Sequence, residues 1–320
     1  MVAPSGSTPA VSVVMPVRNG GAFFPGAVES ILGQTLRHLE LIVVDDGSTD
    51  GTSERLAAFA AMDARVVATR SPGKGIVDAL NHGMGLSRAA LIARMDADDI
   101  ARPERLERQA AFLEGRPDLY VLGSSAIEID AEGTEVRPVA VPVEPAAIRA
   151  ELARHNPILH PTVVMRRTAL DRVGGYRKAL THAEDYDLWL RLAAVGDIAN
   201  LPEPLLLLRR HSGQVSRRKR LDQRAASALA RRLAEDLRAD ALIGGMTGLH
   251  EALPAYLERR GGDRVAVGPE EARDIELILR GAWAAALPIG SAAEGLASRL
   301  GPEGGLAGAW KLPFRRWLRI

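Results

Sequence analysis

The feature that most limits what this chain can fold into is an alternation that runs through its first third. Short runs rich in β-branched residues, Val11–Met15, Leu39–Val44, Arg65–Thr69 and Ala90–Met95, take turns with Ala22–Gln34, Thr52–Met62 and Gly75–Ser87, whose apolar residues recur at three and four. Strands this apolar have no wet face, so they need cover on both sides, and the intervening helices supply it. The pattern predicts an α/β fold: a mainly parallel sheet with helices on both faces. Ser48, Thr49 and Asp50 offer cap chemistry just before the second helix.

In a sheet of this kind ligands sit beyond the carboxyl ends of the strands, so the polar residues found there are the candidates for chemistry. The first run leads into Pro16, Val17, Arg18 and Asn19, the second into Asp45 and Asp46, and the fourth into Asp96, Asp98 and Asp99. Clustered carboxylates repel one another unless a cation neutralises them, and a hard divalent ion, Mg²⁺ or Mn²⁺, is the natural partner. Such an ion commonly completes its shell with substrate phosphates, which points to a nucleoside diphosphate. The plainer reading is a solvated acidic loop with Asp99 capping the next helix. Asp45 and Asp46 suit a base N–H or a ribose hydroxyl, although Asp-Gly-Ser is equally a turn and helix-start signature.

Further along, Leu119–Val136 reads as two strands joined by a turn at Asp130–Gly133, and Pro142–Arg154 as a turn and a helix. The stretch from Pro157 to Leu208 is mixed. After the basic run Arg217–Arg220, helical periodicity returns in Leu221–Ile243, Leu249–Arg259 and Pro269–Leu287. The expected organisation is a loose tail over 1–10, an α/β domain over 11–218 and a helical C-terminal region over 219–320. With 41 basic against 40 acidic residues there is no global field to gather nucleic acid, and the lack of cysteine removes thiolate chemistry and disulfides. The longest apolar runs, such as Val11–Val17 and Leu205–Leu208, fall far short of the roughly 20 residues a membrane-spanning helix needs. The first ten residues lack the basic start and apolar core of a secretory signal, so a cytoplasmic location is expected. The run Trp310–Ile320 mixes tryptophans with cations, a composition suited either to peripheral contact with a membrane interface or to docking back onto the protein.

Four segments carry a more specific resemblance: Val13-Val14-Met15-Pro16-Val17-Arg18-Asn19, Val43-Val44-Asp45-Asp46-Gly47-Ser48-Thr49-Asp50, Ala93-Arg94-Met95-Asp96-Ala97-Asp98-Asp99, and Glu184-Asp185-Tyr186-Asp187-Leu188-Trp189. In order and approximate spacing they resemble the family 2 glycosyltransferases of GT-A fold, over about Val11 to Ser216. The resemblance implies an inverting enzyme that moves a sugar from a nucleotide-diphospho-sugar, UDP-linked by default, to a hydroxyl of a glycan or lipid-linked acceptor, with help from Mn²⁺ or Mg²⁺. It implies that Pro16, Val17 and Asn19 border the base, that Asp46, with Asp45, holds base or ribose, and that Gly73 and Lys74 approach the diphosphate. Asp96 would contact ribose or sugar and Asp98 would bind the metal, joined by His211. Asp185 would be the general base, with Glu184 tuning it or binding the acceptor. His160 and the Gly174-Gly175-Tyr176 turn are expected to be architecture. Two rival functions stay open on residues alone: a nucleotide-sugar-binding module without turnover, and a Mg²⁺-dependent phosphohydrolase. The second lacks its aspartate motif near the first strand, where Pro16–Asn19 stand instead.

Overall fold

In the computed structural model, which describes residues 7–211, 220–234, 252, 255 and 256, the alternation becomes nine strands and eight helices among those residues. The strands are β1 (Val11–Val17), β2 (Leu39–Asp45), β3 (Val66–Arg70), β4 (Leu91–Arg94), β5 (Ile100–Ala101), β6 (Leu119–Ile129), β7 (Glu135–Val139), β8 (Val164–Arg166) and β9 (Asp197–Arg209). The helices are α1 (Phe24–Leu32), α2 (Thr52–Met62), α3 (Ile76–Leu86), α4 (Arg105–Glu114), α5 (Pro145–Leu152), α6 (Arg167–Val173), α7 (Glu184–Ala193) and α8 (Arg220–Ala234). One sheet orders the strands β3-β2-β1-β4-β8-β6-β9-β5, with β7 paired to β6. The β3-β2-β1-β4 half is wholly parallel. The other half is mixed: β8 runs antiparallel to both β4 and β6, and β6 runs parallel to β9.

Alternation along the strands decides which helix covers which face. Val11, Val13, Met15 and Val17 of β1 and Leu39, Leu41 and Val43 of β2 share one core with Phe24, Ala27, Val28 and Ile31 of α1 and Leu56 of α2. The opposite face, with Ile42 and Val44, packs on Ala79 of α3. Gly83 lets α3 lie close, because a Cβ there would meet a Val14 methyl at 2.5 Å and a Val44 methyl at 3.1 Å. Pro16 is tolerated in a central strand for a local reason. On the β4 side the paired register stops at Val14 opposite Arg94, two residues before Pro16.

Several local expectations shift. The helix expected from Ala22 begins at Phe24, with Pro25 in its first turn. Of the residues expected to cap α2, Asp50 does bond the Thr52 N–H at 3.2 Å, but Ser48 and Thr49 bond instead to Asn19 across the loop. The hairpin expected at Asp130–Gly133 forms, with Gly133 at φ +92° and the Thr134 N–H bonded to the Asp130 carboxylate. Ile100–Ala101, which no periodicity marked, is recruited as a short strand by β9.

The chain divides into two compact units, residues 1–176 with 188–214, and residues 177–187 with 215–320. The first holds the whole sheet. In the second, the described parts are a 3-10 turn at Lys178–Leu180, the start of α7, α8 and three isolated residues. Within it Asp187 is ion-paired with Arg177, and the Arg231 guanidinium lies over the Tyr186 ring. The helix expected at Pro269–Leu287, most of Leu249–Arg259, the basic residues Arg217–Lys219 and the Trp310–Ile320 run lie outside the described residues. No helix among the described residues is long and apolar enough to cross a membrane.

Candidate active site

The parallel half of the sheet ends its strands on one rim, and the loop after β1 ties that rim together. On one side Asn19, at φ +54°, accepts the Thr49 N–H at 2.8 Å through its side-chain oxygen, and its own N–H bonds the Ser48 hydroxyl at 2.9 Å. Asparagine tolerates this left-handed backbone better than other side chains do. Gly20 and Gly21 donate their N–H groups to Thr52 and Asp50. On the other side Phe23, from the same loop, stacks 4.9 Å from the His211 ring and lies under the Arg209 guanidinium at 4.8 Å. One loop therefore touches both the Asp45–Asp50 segment and the surroundings of the acidic triad.

At the end of β2, Asp45 and Asp46 differ in environment. Asp45 is buried and accepts bonds from the Ser48 N–H and the Ser53 hydroxyl. Burial pushes its carboxyl up, but those bonds and the Arg70 charge outweigh burial and hold it below the usual value. Asp46 is half-buried, and both its oxygens accept the Gly75 N–H, at 3.0 and 2.9 Å. That bond brings the Gly73–Gly75 segment to the Asp46 loop. A Cβ at Gly73 would fall 2.0 Å from the Asp78 carboxylate and displace that side chain, which accepts the Lys74 N–H at 3.0 Å. Lys74 itself is exposed.

At the end of β4 the carboxylates of Asp96, Asp98 and Asp99 offer oxygens all within 4.8 Å of one another. Burial, then the charges of Asp96 and Asp98, pushes the Asp99 carboxyl well above its usual range. Burial also raises Asp96, as does Asp98, against the pull of Arg94. Asp99 is 1% exposed; one of its oxygens accepts the Arg209 N–H at 2.8 Å, while its Oδ2 is buried with no hydrogen-bond partner. A buried carboxylate oxygen with nothing to bond, inside a cluster of like charges, fits the ligand set of a hard cation. His211 Nε2 lies 3.0 Å from Asp98 Oδ2. The structure thus brings together Asp96, Asp98 and His211, and separately Asn19, Asp45, Asp46 and the Gly73–Gly75 segment, all within the first unit. Pro16 and Val17 end β1 between them.

Glu184 and Asp185 occupy the first turn of α7, in the second unit. Three acids there, with Asp187, suit the positive end of the helix dipole. Glu184 is buried and accepts the His182 N–H at 2.6 Å. Asp185 is half-buried.

Three residues near the triad escaped the sequence reading. Arg209 donates to the Asp98 and Asp130 carbonyls at 2.9 and 3.0 Å as well as to Asp99, and so clamps the triad loop to the β6–β7 turn. Phe23 supports Arg209 and His211 from below. Arg94, 4% exposed, is ion-paired with Asp96. Only Arg94 left a signal, an arginine inside an otherwise apolar strand, where a charge needs a partner. His160, expected to be architecture, bonds the Tyr176 hydroxyl at 2.7 Å and packs edge-on against Trp189. Burial, then Arg94, holds its imidazole well below the usual value, so it is neutral.

Comparison with known proteins agrees with this arrangement. The family model for glycosyl transferase family 2 matches residues 12–174, about half of the chain. The amylovoran biosynthesis glycosyltransferase AmsE of Erwinia amylovora is 36% identical over 197 residues, covering 60% of this chain and 72% of AmsE. Among solved structures, S. aureus TarS in complex with UDP aligns with a TM-score of 0.58 at 18% identity, over 95% of this chain and 91% of that one. The mannosyltransferase PcManGT from Pyrobaculum calidifontis, in complex with GDP-Man and Mn²⁺, aligns at 0.54 and 18% identity, over 98% of this chain and 84% of that one. These structural likenesses carry the GT-A fold, and the family match carries the activity class: this chain belongs to glycosyl transferase family 2 and is a glycosyltransferase.

Proposed function

We propose that the chain transfers a sugar from a nucleotide-diphospho-sugar to a hydroxyl of a glycan or lipid-linked acceptor, with inversion at the anomeric carbon and with a divalent cation bound at the Asp96–Asp99 loop. The observation that carries this reading is the acidic triad at the end of β4, with its unpartnered buried Asp99 oxygen, in a chain of this family. Donor chemistry is supported by the UDP complex of TarS and the GDP-Man and Mn²⁺ complex of PcManGT, and a glycan acceptor by the biosynthetic role in the name of AmsE.

In this reading Asp98 and Asp99 hold the cation with His211 beside them, and the cation, when bound, neutralises the charge that grows on the departing diphosphate. Asp46 and the Gly73–Gly75 backbone face the nucleoside end, where glycine allows close approach and Lys74 meets phosphate charge. Asp45 and Asn19 shape the base pocket through the turn they stabilise. Asp185 takes the proton from the acceptor hydroxyl as its oxygen attacks the anomeric carbon from the face opposite the nucleotide, and this single displacement inverts the configuration. The test is a panel of UDP- and GDP-sugars with Mn²⁺ or Mg²⁺ and simple glycoside or polyprenol-phosphate acceptors, read as nucleotide release. Metal-dependent release of UDP or GDP from one donor supports the reading. Binding of donors with no hydrolysis or transfer to any acceptor favours a binding module.

A further inference from the structure

The loop between β1 and α1 is bonded at one end and packed at the other. Over residues 19–21 every backbone N–H is held by the segment before α2. Asn19 donates to the Ser48 hydroxyl at 2.9 Å, Gly20 to the Thr52 hydroxyl at 3.0 Å and Gly21 to the Asp50 carboxylate at 2.9 Å. The Gly21 carbonyl accepts a further bond, at 3.0 Å, from Arg55. The following turn leaves no slack: a Cβ on Gly20 would fall 2.7 Å from the Phe24 Cβ and 2.9 Å from a Val17 methyl, and Phe24 is fully buried in the core. Backbone fixed on both sides of residue 23 carries that residue along with it.

Phe23 is what this rigid span carries. Its neighbour Phe24 fills the core, whereas Phe23 is half-buried and meets the end of β9, with its ring 4.9 Å from the His211 ring and 4.8 Å from the Arg209 guanidinium. Both partners lead to the acidic triad. His211 Nε2 lies 3.0 Å from Asp98 Oδ2, and Arg209 Nε donates to the Asp98 carbonyl at 2.9 Å. An aromatic ring suits this position for two reasons: its face attracts a guanidinium, and its flat body limits how a neighbouring imidazole can tilt. One short loop therefore runs from hydrogen bonds at the Asp45–Asp50 segment to ring contacts at the metal end.

We propose that Phe23 is a positioning residue that couples the nucleoside end of the site to the metal end. A base seated beside Asn19 fixes the loop, the loop fixes Phe23, and Phe23 holds His211 where the cation needs it. The inference rests on the glycosyl-transfer reading above, in which Asn19 shapes the base pocket and His211 stands beside the cation. A nucleoside diphosphate also joins the two ends through its own phosphates, so the share carried by the protein shows only with a nucleoside, which has none. Once the nucleoside has ordered the loop, the cation no longer meets that cost and binds more tightly. Linkage then requires the cation to tighten nucleoside binding by the same factor.

The test is Mn²⁺ affinity at one pH, followed by the resonance of free Mn²⁺, with and without saturating uridine or guanosine. In the unaltered protein one of the two nucleosides should tighten Mn²⁺ binding by about fivefold, and Mn²⁺ should tighten that nucleoside equally. Phe23→Ala should reduce the factor to below about 1.5, and Phe23→Tyr, which keeps the ring, should restore most of it. Phe23→Leu keeps apolar bulk without the ring and takes the place of Phe23→Ala if a melting temperature shows that variant to be misfolded. A factor near one in the unaltered protein, whatever its cause, or an undiminished factor in the variant without the ring, would overturn the inference. Turnover of a donor without nucleoside–metal coupling would sink the inference alone, whereas a protein that binds no Mn²⁺ would count against the proposed function as well.

Discussion

Asp98 and Asp185 carry the heaviest chemical assignments and should fail in different ways. Asp98→Ala should abolish the rise in melting temperature that Mn²⁺ gives and lower kcat by about 10²–10³, the range found when a group stabilising transition-state charge is removed. Asp185→Asn should lower kcat by about 10²–10⁴, the contribution of a general base, while donor affinity stays within about twofold. An Asp185→Asn enzyme with unimpaired kcat would exclude that residue as the base. Proton competition supplies a further check. Burial and its acidic neighbours raise the Asp99 carboxyl, so in the metal-free protein charging this group opposes folding, a penalty absent below the ordinary carboxylate pKa of about 4 and growing as pH rises through the raised value. A cation needs the deprotonated form, so the thermal shift from Mn²⁺ should shrink as pH falls through the raised Asp99 value toward the ordinary carboxylate range. A shift independent of pH across that range would count against Asp99 as a ligand. At this scale the acids were legible because they follow strands. Arg209 was not, because its bond to Asp98 closes a loop of 111 residues that no local pattern announces.

Among the elements, the loop after β1 is the hinge of the arrangement. Asn19→Ala loses the acceptor for the Thr49 N–H and places an alanine at φ +54°, so it should destabilise the fold by about 1–3 kcal/mol and weaken donor binding. Asn19→Gly keeps the backbone free while losing the same bond, and the difference between the two in chemical denaturation isolates the strain. Gly83→Ala probes the sheet face away from this loop. Its methyl would press on Val14 and Val44, costing about 1–3 kcal/mol of stability, and the folded fraction should keep its KM. The parallel half of the sheet was legible because β1 and β2 are near-continuous apolar runs and helical periodicity separates its strands. The other half was not: β9 interrupts its apolar residues with Pro202, Glu203 and Pro204, and β5 exists only because β9 gives its two residues a ladder. Pairings made across the chain, rather than propensity, define those strands.

For the whole molecule, the α/β fold was legible in the sequence, and family membership rests on residues 12–174; the helical region expected after residue 218 lies mostly outside the described residues. The acids at the strand ends were readable as a group because a parallel sheet delivers every such end to one rim. The assignment of Asp185 came from resemblance alone, since acids in a first helical turn have a sufficient local reason in the helix dipole. The run Trp310–Ile320 allows one prediction from composition: weak co-sedimentation with anionic vesicles, lost when those residues are deleted. Unchanged sedimentation after deletion would end that idea. The central claim, that clustered acids at the end of β4 hold a cation against a diphosphate, is tested most directly by anomalous scattering from crystals grown with Mn²⁺ and UDP. The account predicts a single manganese peak bonded to Asp98 and to the diphosphate. A diphosphate bound with no manganese at the triad, or manganese bound only elsewhere on the protein, would contradict it.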